Sequence, residues 1–94
     1  MPRTIKPVGR FQRDYKRVKA GVYGKTLGAM LGEALALLAT DQPLPERFHD
    51  HALEPKWKGY RDCHIRPDLI LIYRKPDEER LELVRLGSHS ELSL

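Results

Sequence analysis

Cysteine is almost missing from this chain of 94 residues. The single Cys63 cannot form an internal disulfide, and there is no Cys-x-x-Cys or His-Glu-x-x-His spacing of the kind that announces zinc or redox chemistry. Long apolar runs are missing too: none approaches the roughly 18 residues that a membrane-spanning helix needs. The first eleven residues, MPRTIKPVGRF, lack the apolar stretch of a secretory signal. A cytoplasmic protein with no membrane association is therefore expected. Repeats and low-complexity segments are absent as well. A chain of this length makes one domain, residues 1–94, and buries only about 60–65% of its unfolded surface. That excludes a large enclosed cofactor domain. Any site must be shallow, or lie on the face of a sheet.

What the chain does have is positive charge, unevenly distributed. Seventeen Lys and Arg stand against thirteen Asp and Glu, a net charge of +4. Residues 1–25 hold eight basic side chains and one acidic, and residues 56–75 hold six and two, while the segments between and after are acidic. Folding can bring two such basic segments into one positive surface suited to a phosphate backbone or an acidic protein. Lys16 and Arg17 in the first segment, and Lys56, Lys58 and Arg61 in the second, are the candidate phosphate contacts. The bland reading is that they are solvated charges.

Hydrophobic spacing places the elements. Thr4, Ile5, Lys6 and Val8 read as a short strand that Pro7 confines to a sheet edge. Phe11, Tyr15, Val18 and Val22 recur near helical spacing, with Gly21 as the stop. Leu27, Met30, Leu31, Ala34, Leu35 and Leu38 form a second apolar stripe over about 26–39, with Thr26 as N-cap and Asp41-Gln42-Pro43 as the end. Residues 43–55 read as irregular. Alternation from Lys58 to Arg66 then places Tyr60, Asp62, His64 and Arg66 on one strand face, with Arg61, Cys63 and Ile65 on the other. Leu69–Tyr73 is a continuous apolar run, read as a central strand covered on both sides. Leu81, Leu83, Val84 and Leu86 form a last strand. Short turns between these three predict antiparallel pairing. The fold class predicted is α+β: an N-terminal strand and a two-helix hairpin packed on a small antiparallel sheet.

The chemistry-bearing residues are histidines. His51 lies in the loop before the sheet, His64 on the polar face of the first of its three strands, and His89 just beyond the last. Asp68 occupies the turn after His64. Imidazoles exchange protons at neutral pH, and nearby Arg85 would add a cationic clamp. This inventory suits RNA cleavage, in which the ribose 2′-hydroxyl attacks its own phosphate and needs neither a protein nucleophile nor a metal. The competing use is metal: His49-x-His51 with His64, Cys63 or His89. That arrangement requires a bent backbone, and Cys63 and His64 face opposite sides of a strand, so no metal is assigned. Asp41, Asp50 and Glu54 are weaker candidate bases that suit turn capping better. Trp57 either stacks on a base or lids the core.

Three separated motifs occur in order: Asp50-His51-Ala52-Leu53; the run from Trp57 through His64-Ile65-Arg66-Pro67-Asp68 to Tyr73; and Arg85-Leu86-Gly87-Ser88-His89-Ser90-Glu91-Leu92. With Pro43-Leu44-Pro45 before them, they resemble the YafQ toxins of the RelE/ParE superfamily of type II toxin–antitoxin systems, over about residues 11–92. The resemblance implies a ribosome-dependent endoribonuclease that cuts messenger RNA without a cofactor. By motif position His51, His64, Asp68 and His89 match the family's catalytic set, and Arg85 its phosphate-contacting arginine. His64 and Asp68 are assigned to proton transfer and orientation, His89 to the general acid, and His51 to positioning or acid–base work. The implied partners are the ribosome, messenger RNA and an acidic DinJ/RelB-like antitoxin, a DNA-binding dimer through which alone operator DNA is bound. One departure is the ending Leu92-Ser93-Leu94, where relatives often carry an aromatic ring near the RNA. The alternatives are a ParE-like toxin that binds gyrase without cleaving RNA, which would not need the histidines, and a plain basic RNA-binding module.

Overall fold

A computed structural model describes residues 2–53 and 57–94. In chain order the elements are β1 (Thr4–Pro7), α1 (Gly9–Lys19), α2 (Leu27–Ala39), a 3-10 turn (Glu46–Phe48), β2 (His51–Ala52), β3 (Arg61–Arg66), β4 (Leu69–Arg74) and β5 (Arg80–Gly87). Five strands form one sheet in the order β1-β5-β4-β3-β2. Glu54 and Lys56, both named from sequence, lie outside the described residues.

The apolar run becomes β4, buried along its length from Leu69 to Tyr73. Its side chains alternate between two cores, as a strand's must. Leu69, Leu71 and Tyr73 face the helices, joining Phe11 and Val18 of α1 and Leu27, Leu31, Ala34 and Leu38 of α2. Ile70 and Ile72 face the other way, into a smaller cluster with Leu53 and Leu92 that Trp57, Tyr60 and Val84 border. A register shift between Ile72 and Tyr73 in the β4–β5 ladder sets Leu81, Leu83 and Leu86 all on the helical side. Cys63 is fully buried there, and burial pushes its thiol far above the ordinary range. It is a core residue rather than a nucleophile.

Four details differ from the sequence-based expectation. The sheet is mixed, because β1 runs parallel to β5 with Thr4 opposite Arg80 and Pro7 opposite Leu83. A parallel neighbour needs a long crossover, and here everything between the two strands supplies it. Val22 lies beyond α1 and is exposed, so the first helix ends a turn early. Thr26 makes no side-chain cap, its hydroxyl lying nearest the Tyr23 carbonyl at 3.4 Å. The loop before the sheet contains β2, whose two residues pair antiparallel with β3, His51 opposite Asp62 and Ala52 opposite Arg61. Among the described residues no helix is long and apolar enough to cross a membrane.

One buried charge fastens α1 to the sheet. Asp14 is 4% exposed and accepts from Arg85 Nε at 2.7 Å, the Leu86 amide at 3.0 Å and Arg17 Nη1 at 2.9 Å. Burial alone would raise its carboxyl, but the hydrogen bonds from Arg85, Leu86 and Arg17 outweigh it and hold the group below its ordinary 3.8. Removing one partner of a buried pair leaves the other charge uncompensated, at a cost of about 3–5 kcal/mol. Asp14→Ala is therefore expected to lose stability of that order in urea titrations. In the parent the Asp14 contribution is complete above pH about 4 and fades as pH falls through the lowered native value. The gap between parent and Asp14→Ala stability curves should narrow over that acid range.

Candidate active site

Sheet register assembles the histidines. His64 on β3 pairs with Ile70 on β4, and Ile70 pairs with Gly87 on β5. At that same sheet end Asp68, two residues before Ile70 in the β3–β4 turn, meets His89, two residues after Gly87. The His89 amide donates to Asp68 Oδ1 at 3.0 Å, and its ring Nδ1 lies 2.6 Å from the same oxygen. The rings of His64 and His89 are 5.3 Å apart, and the His49 ring stands 5.4 Å from that of His64. His49 reaches that place through a left-handed backbone, φ 45°, as the chain leaves the 3-10 turn.

The fourth imidazole joins through Asp62. Pairing of β2 with β3 sets His51 opposite Asp62, and His51 Nε2 stands 2.9 Å from Asp62 Oδ1. The alignment is not that of a hydrogen bond, and Oδ1 is buried without a hydrogen-bond partner among the described residues. His51 Nδ1 lies 3.1 Å from the Ala52 carbonyl, an oxygen that can only accept. Nδ1 therefore carries a proton, and in the neutral ring Nε2 keeps its lone pair and stands beside the carboxylate without bonding to it.

Titration follows from these surroundings. Burial raises the Asp62 carboxyl above its ordinary 3.8, against the opposing pull of His51, His64 and His89. Burial lowers His64 below 6.5; Asp62 opposes this, and His89, His49 and His51 reinforce it. Asp68 is held below 3.8 by the amide and ring of His89. The group thus offers a largely neutral imidazole, an ionised carboxylate orienting a second imidazole, and a buried carboxylate seeking a positive partner.

Two adjoining depressions share His51 and His64. One, of about 600 Å³, is lined by Arg47, His49 and Arg66 as well; the other, about 350 Å³, reaches Asp62, His89, Trp57, Ser93 and Leu94. Trp57 and Ser93 continue into a third hollow of about 550 Å³ that contains Arg85 and Arg10. Trp57 lids the smaller core, standing edge-on against Tyr60 with centroids 5.5 Å apart, and it also borders the groove.

The expected basic contacts divide. Arg85 borders the groove, with Nε and Nη2 on Asp14. Lys58 is exposed in the turn before β3. Arg17 bonds to Asp14, the Leu86 carbonyl and Glu91. Arg61 faces away from His64 and pairs with Asp50 and the Tyr73 hydroxyl at 3.3 Å, and Tyr73 also donates to Asp50. Asp50 is thus a structural acceptor rather than a base. Lys16 borders an apolar groove between α1, α2 and β1 instead. Asp41 lies at the far end of β4, tied to Arg3 and Lys75, which bring its carboxyl down to about 2.

Sequence reasoning gave no role to Asp62, Arg47 or Arg66, and considered His49 only as a metal ligand. The signal for Asp62 was its place two residues before His64 on one strand face. His51, Asp62 and His64 each present a donor atom, all within 4.8 Å of one another. Two imidazoles and a carboxylate whose buried Oδ1 is orphaned fit a transition metal of the zinc or copper class.

Comparison with known proteins gives a consistent set of matches. A family model described as the bacterial toxin of type II toxin–antitoxin system, YafQ, matches residues 3–94. The mRNA interferase toxin YafQ of Escherichia coli strain B / BL21-DE3 is 37% identical over 90 residues, covering 96% of this chain and 95% of that protein. The crystal structure of the E. coli DinJ–YafQ complex superposes with a TM-score of 0.82 at 38% identity, over 96% of this chain and 97% of that one. A metal-bound toxin and a copper-bound mutant toxin from Helicobacter pylori give TM-scores of 0.82 and 0.84, at 44% and 41% identity, each over 98% of this chain and 99% of that one.

The electrostatics predict an order of titration. By ring-proton NMR His64 should show a midpoint below 6.5. Asp62→Asn should lower it further, because the Asp62 charge is what opposes the fall. A His64 midpoint at or above 6.5, or one that rises in Asp62→Asn, would contradict this arrangement.

Proposed function

The chain belongs to the YafQ family of bacterial toxins of type II toxin–antitoxin systems, and from that premise we propose that it is an mRNA interferase acting by acid–base catalysis on the translating ribosome. The observation that carries the reading is the convergence of His49 and His89 on His64, with Asp68 on His89. A gyrase-binding toxin would need none of these imidazoles.

The ribose 2′-hydroxyl attacks the adjacent phosphorus, and the 5′ oxygen leaves. His64, kept neutral at physiological pH by its surroundings, takes the 2′ proton. His89 protonates the leaving oxygen from Nε2, because Asp68 holds Nδ1 and so fixes the tautomer and the direction of the ring. His51 positions the scissile nucleotide at the shared wall of the two depressions. Arg85 and the newly seen Arg47 and Arg66 supply cationic stabilisation for the phosphorane charge. Trp57, beside Ser93 in the groove, offers the ring that the C-terminal segment lacks, and stacks a base there. A transition metal, such as the one its H. pylori relatives carry, would be held by His51, Asp62 and His64 and would supply Lewis-acid charge; the proton transfers above belong to the chain's own side chains.

E. coli YafQ is found with DinJ, and we assign this chain an acidic, DNA-binding antitoxin of the same kind. Exposed Arg10, Arg13, Lys16 and Lys19 along α1 give such a partner a surface to neutralise by coupled folding and charge pairing.

Purified ribosomes programmed with a defined message provide the test. Cleavage should leave 2′,3′-cyclic phosphate and 5′-hydroxyl ends, and a single 2′-deoxy substitution at the cut site should abolish it. His89→Gln should lower the single-turnover rate about 10²–10⁴-fold while ribosome binding and thermal stability hold. Undiminished cleavage by His89→Gln, or growth arrest with intact messages and altered DNA topology, would sink the reading. The neighbouring gene product should co-purify and suppress cleavage.

A further inference from the structure

We propose that Asp50 is a positioning residue of the nuclease: tied to Tyr73 and Arg61 on the helical face of the sheet, it pins β2 in register and so holds His51 at the substrate. The proposal rests on the acid–base reading above, in which His51 positions the scissile nucleotide.

The need for such a pin comes from β2 itself. The strand has two residues, His51 and Ala52, and both are exposed. Register is strongly specified where one face of a strand is buried, and a slip of one residue turns every side chain to the other face. β2 buries neither face, so its own side chains do not specify its register. A slip would take His51 away from Asp62 and out of the groove. The chain also enters β2 from a left-handed residue, His49 at φ 45°. A non-glycine residue keeps that conformation only where its surroundings hold it.

Asp50 supplies the hold from the opposite face. Successive side chains of an extended chain point to opposite sides. With His51 against Asp62, Asp50 falls on the side of the larger core. There its carboxylate accepts from the Tyr73 hydroxyl. It also accepts from Arg61, Nε to Oδ1 and Nη2 to Oδ2, both at 3.3 Å. Hydrogen bonds to an ionised acceptor are the strong ones. The Tyr73 ring is 1% exposed and packed in the larger core, so its hydroxyl is a fixed point. Burial, with the Asp50 charge beside it, pushes the phenol well above its ordinary 10, and it remains a donor near neutral pH. Arg61 and Tyr73 stand opposite one another in the β3–β4 ladder. Two neighbouring strands therefore hold one carboxylate. Beyond β2, the Leu53 amide donates to the Tyr60 carbonyl at 2.9 Å, and Leu53 is buried in the smaller core. The short strand is thus tied at both ends, to one core by Asp50 and to the other by Leu53.

The hold serves the site more than the fold. The residues on either side of Asp50 are His49 and His51, and both border the depression of about 600 Å³. Releasing the pin leaves His64 and the Asp68–His89 pair in place, because β3, β4 and β5 carry them. It lets His51 leave the groove. A misplacement of about 1 Å costs about 10²-fold in rate even when its cause is remote from the chemistry.

The test compares Asp50→Ala, Asp50→Asn and Tyr73→Phe in the full chain, on purified ribosomes carrying a defined message. At saturating toxin the single-turnover rate should fall about 10–10²-fold in Asp50→Ala, while the half-saturating concentration holds. Asp50→Asn keeps an acceptor for the Tyr73 hydroxyl and should recover most of the rate. Tyr73→Phe keeps the ring in the core and carries the same test where Asp50→Ala folds poorly. Ring ¹⁵N spectra should show His51 displaced in Asp50→Ala and His89 unmoved. The decisive measurement is coupling. Asp50→Ala should cost nothing further in a His51→Gln background, yet its full factor in an Asp68→Asn background. Equal losses in both backgrounds, or a loss that only tracks the unfolded fraction in urea titrations, make Asp50 a stability residue and overturn the proposal. So does a parental rate in Asp50→Ala with the His51 ring unmoved. A parent chain that fails to cleave, or that is indifferent to His89→Gln, brings down the acid–base reading instead, and the His51 resonances still decide the pin.

Discussion

The Asp14 carboxylate is the contact on which the arrangement of this molecule depends. It is buried beneath α1 and collects donors from Arg85, Leu86 and Arg17. A charge so placed is tolerable only when fully paired, and its pairing fixes how α1 lies on β5. From there the order passes to the C-terminal turn. Arg17 also donates to the Leu86 carbonyl at 3.0 Å and pairs with Glu91 at 3.1 Å, and Glu91 accepts the Ser88 amide at 2.8 Å. His89 lies between Ser88 and Glu91. Charges that look from sequence like part of an RNA-facing surface thus hold the backbone carrying the proposed general acid.

The sheet does the remaining positioning through register. Because β4 is apolar on both faces, it can sit only in the middle, with β3 and β5 on either side. Once Ile70 is opposite both His64 and Gly87, the turn at Asp68 and the segment at His89 must emerge together. Leu92 then anchors the chain end in the smaller core, 3% exposed, closing the groove beside Trp57. Two small cores and one buried ion pair are enough to place four imidazoles without an enclosed pocket, as a chain of this length requires.

Local pattern was the readable part of the sequence. The Leu69–Tyr73 run, the burial of Cys63, the two helices and the Pro7 edge strand are all visible in spacing and composition. The catalytic candidates His51, His64, Asp68 and His89 are also found together. What spacing does not carry is partnership across distance. Nothing in Thr4–Pro7 tells whether it will run parallel or antiparallel to a strand more than seventy residues away. Alternation placed Asp62 on the face of His64, yet its importance comes from His51, brought opposite by a two-residue strand too short to show a period. Arg17 and Arg61 read as surface charges because their acidic partners Glu91 and Asp50 are remote in sequence, and Asp14, only three residues before Arg17, shows its burial only in the fold.

Asp62 also explains why the sheet edge brings a histidine to this place. A carboxylate with 3% exposure demands positive charge beside it, and β2 offers His51 Nε2 rather than a lysine or arginine. An imidazole can meet that demand by carrying a second proton. Arginine would meet it permanently, and a hydrophobic residue would leave the carboxylate unpaired. His64, on the same strand face, feels the same charge, which opposes the fall that burial imposes on its ring. One buried carboxylate thus sets the electrostatic level of the imidazole proposed as the base.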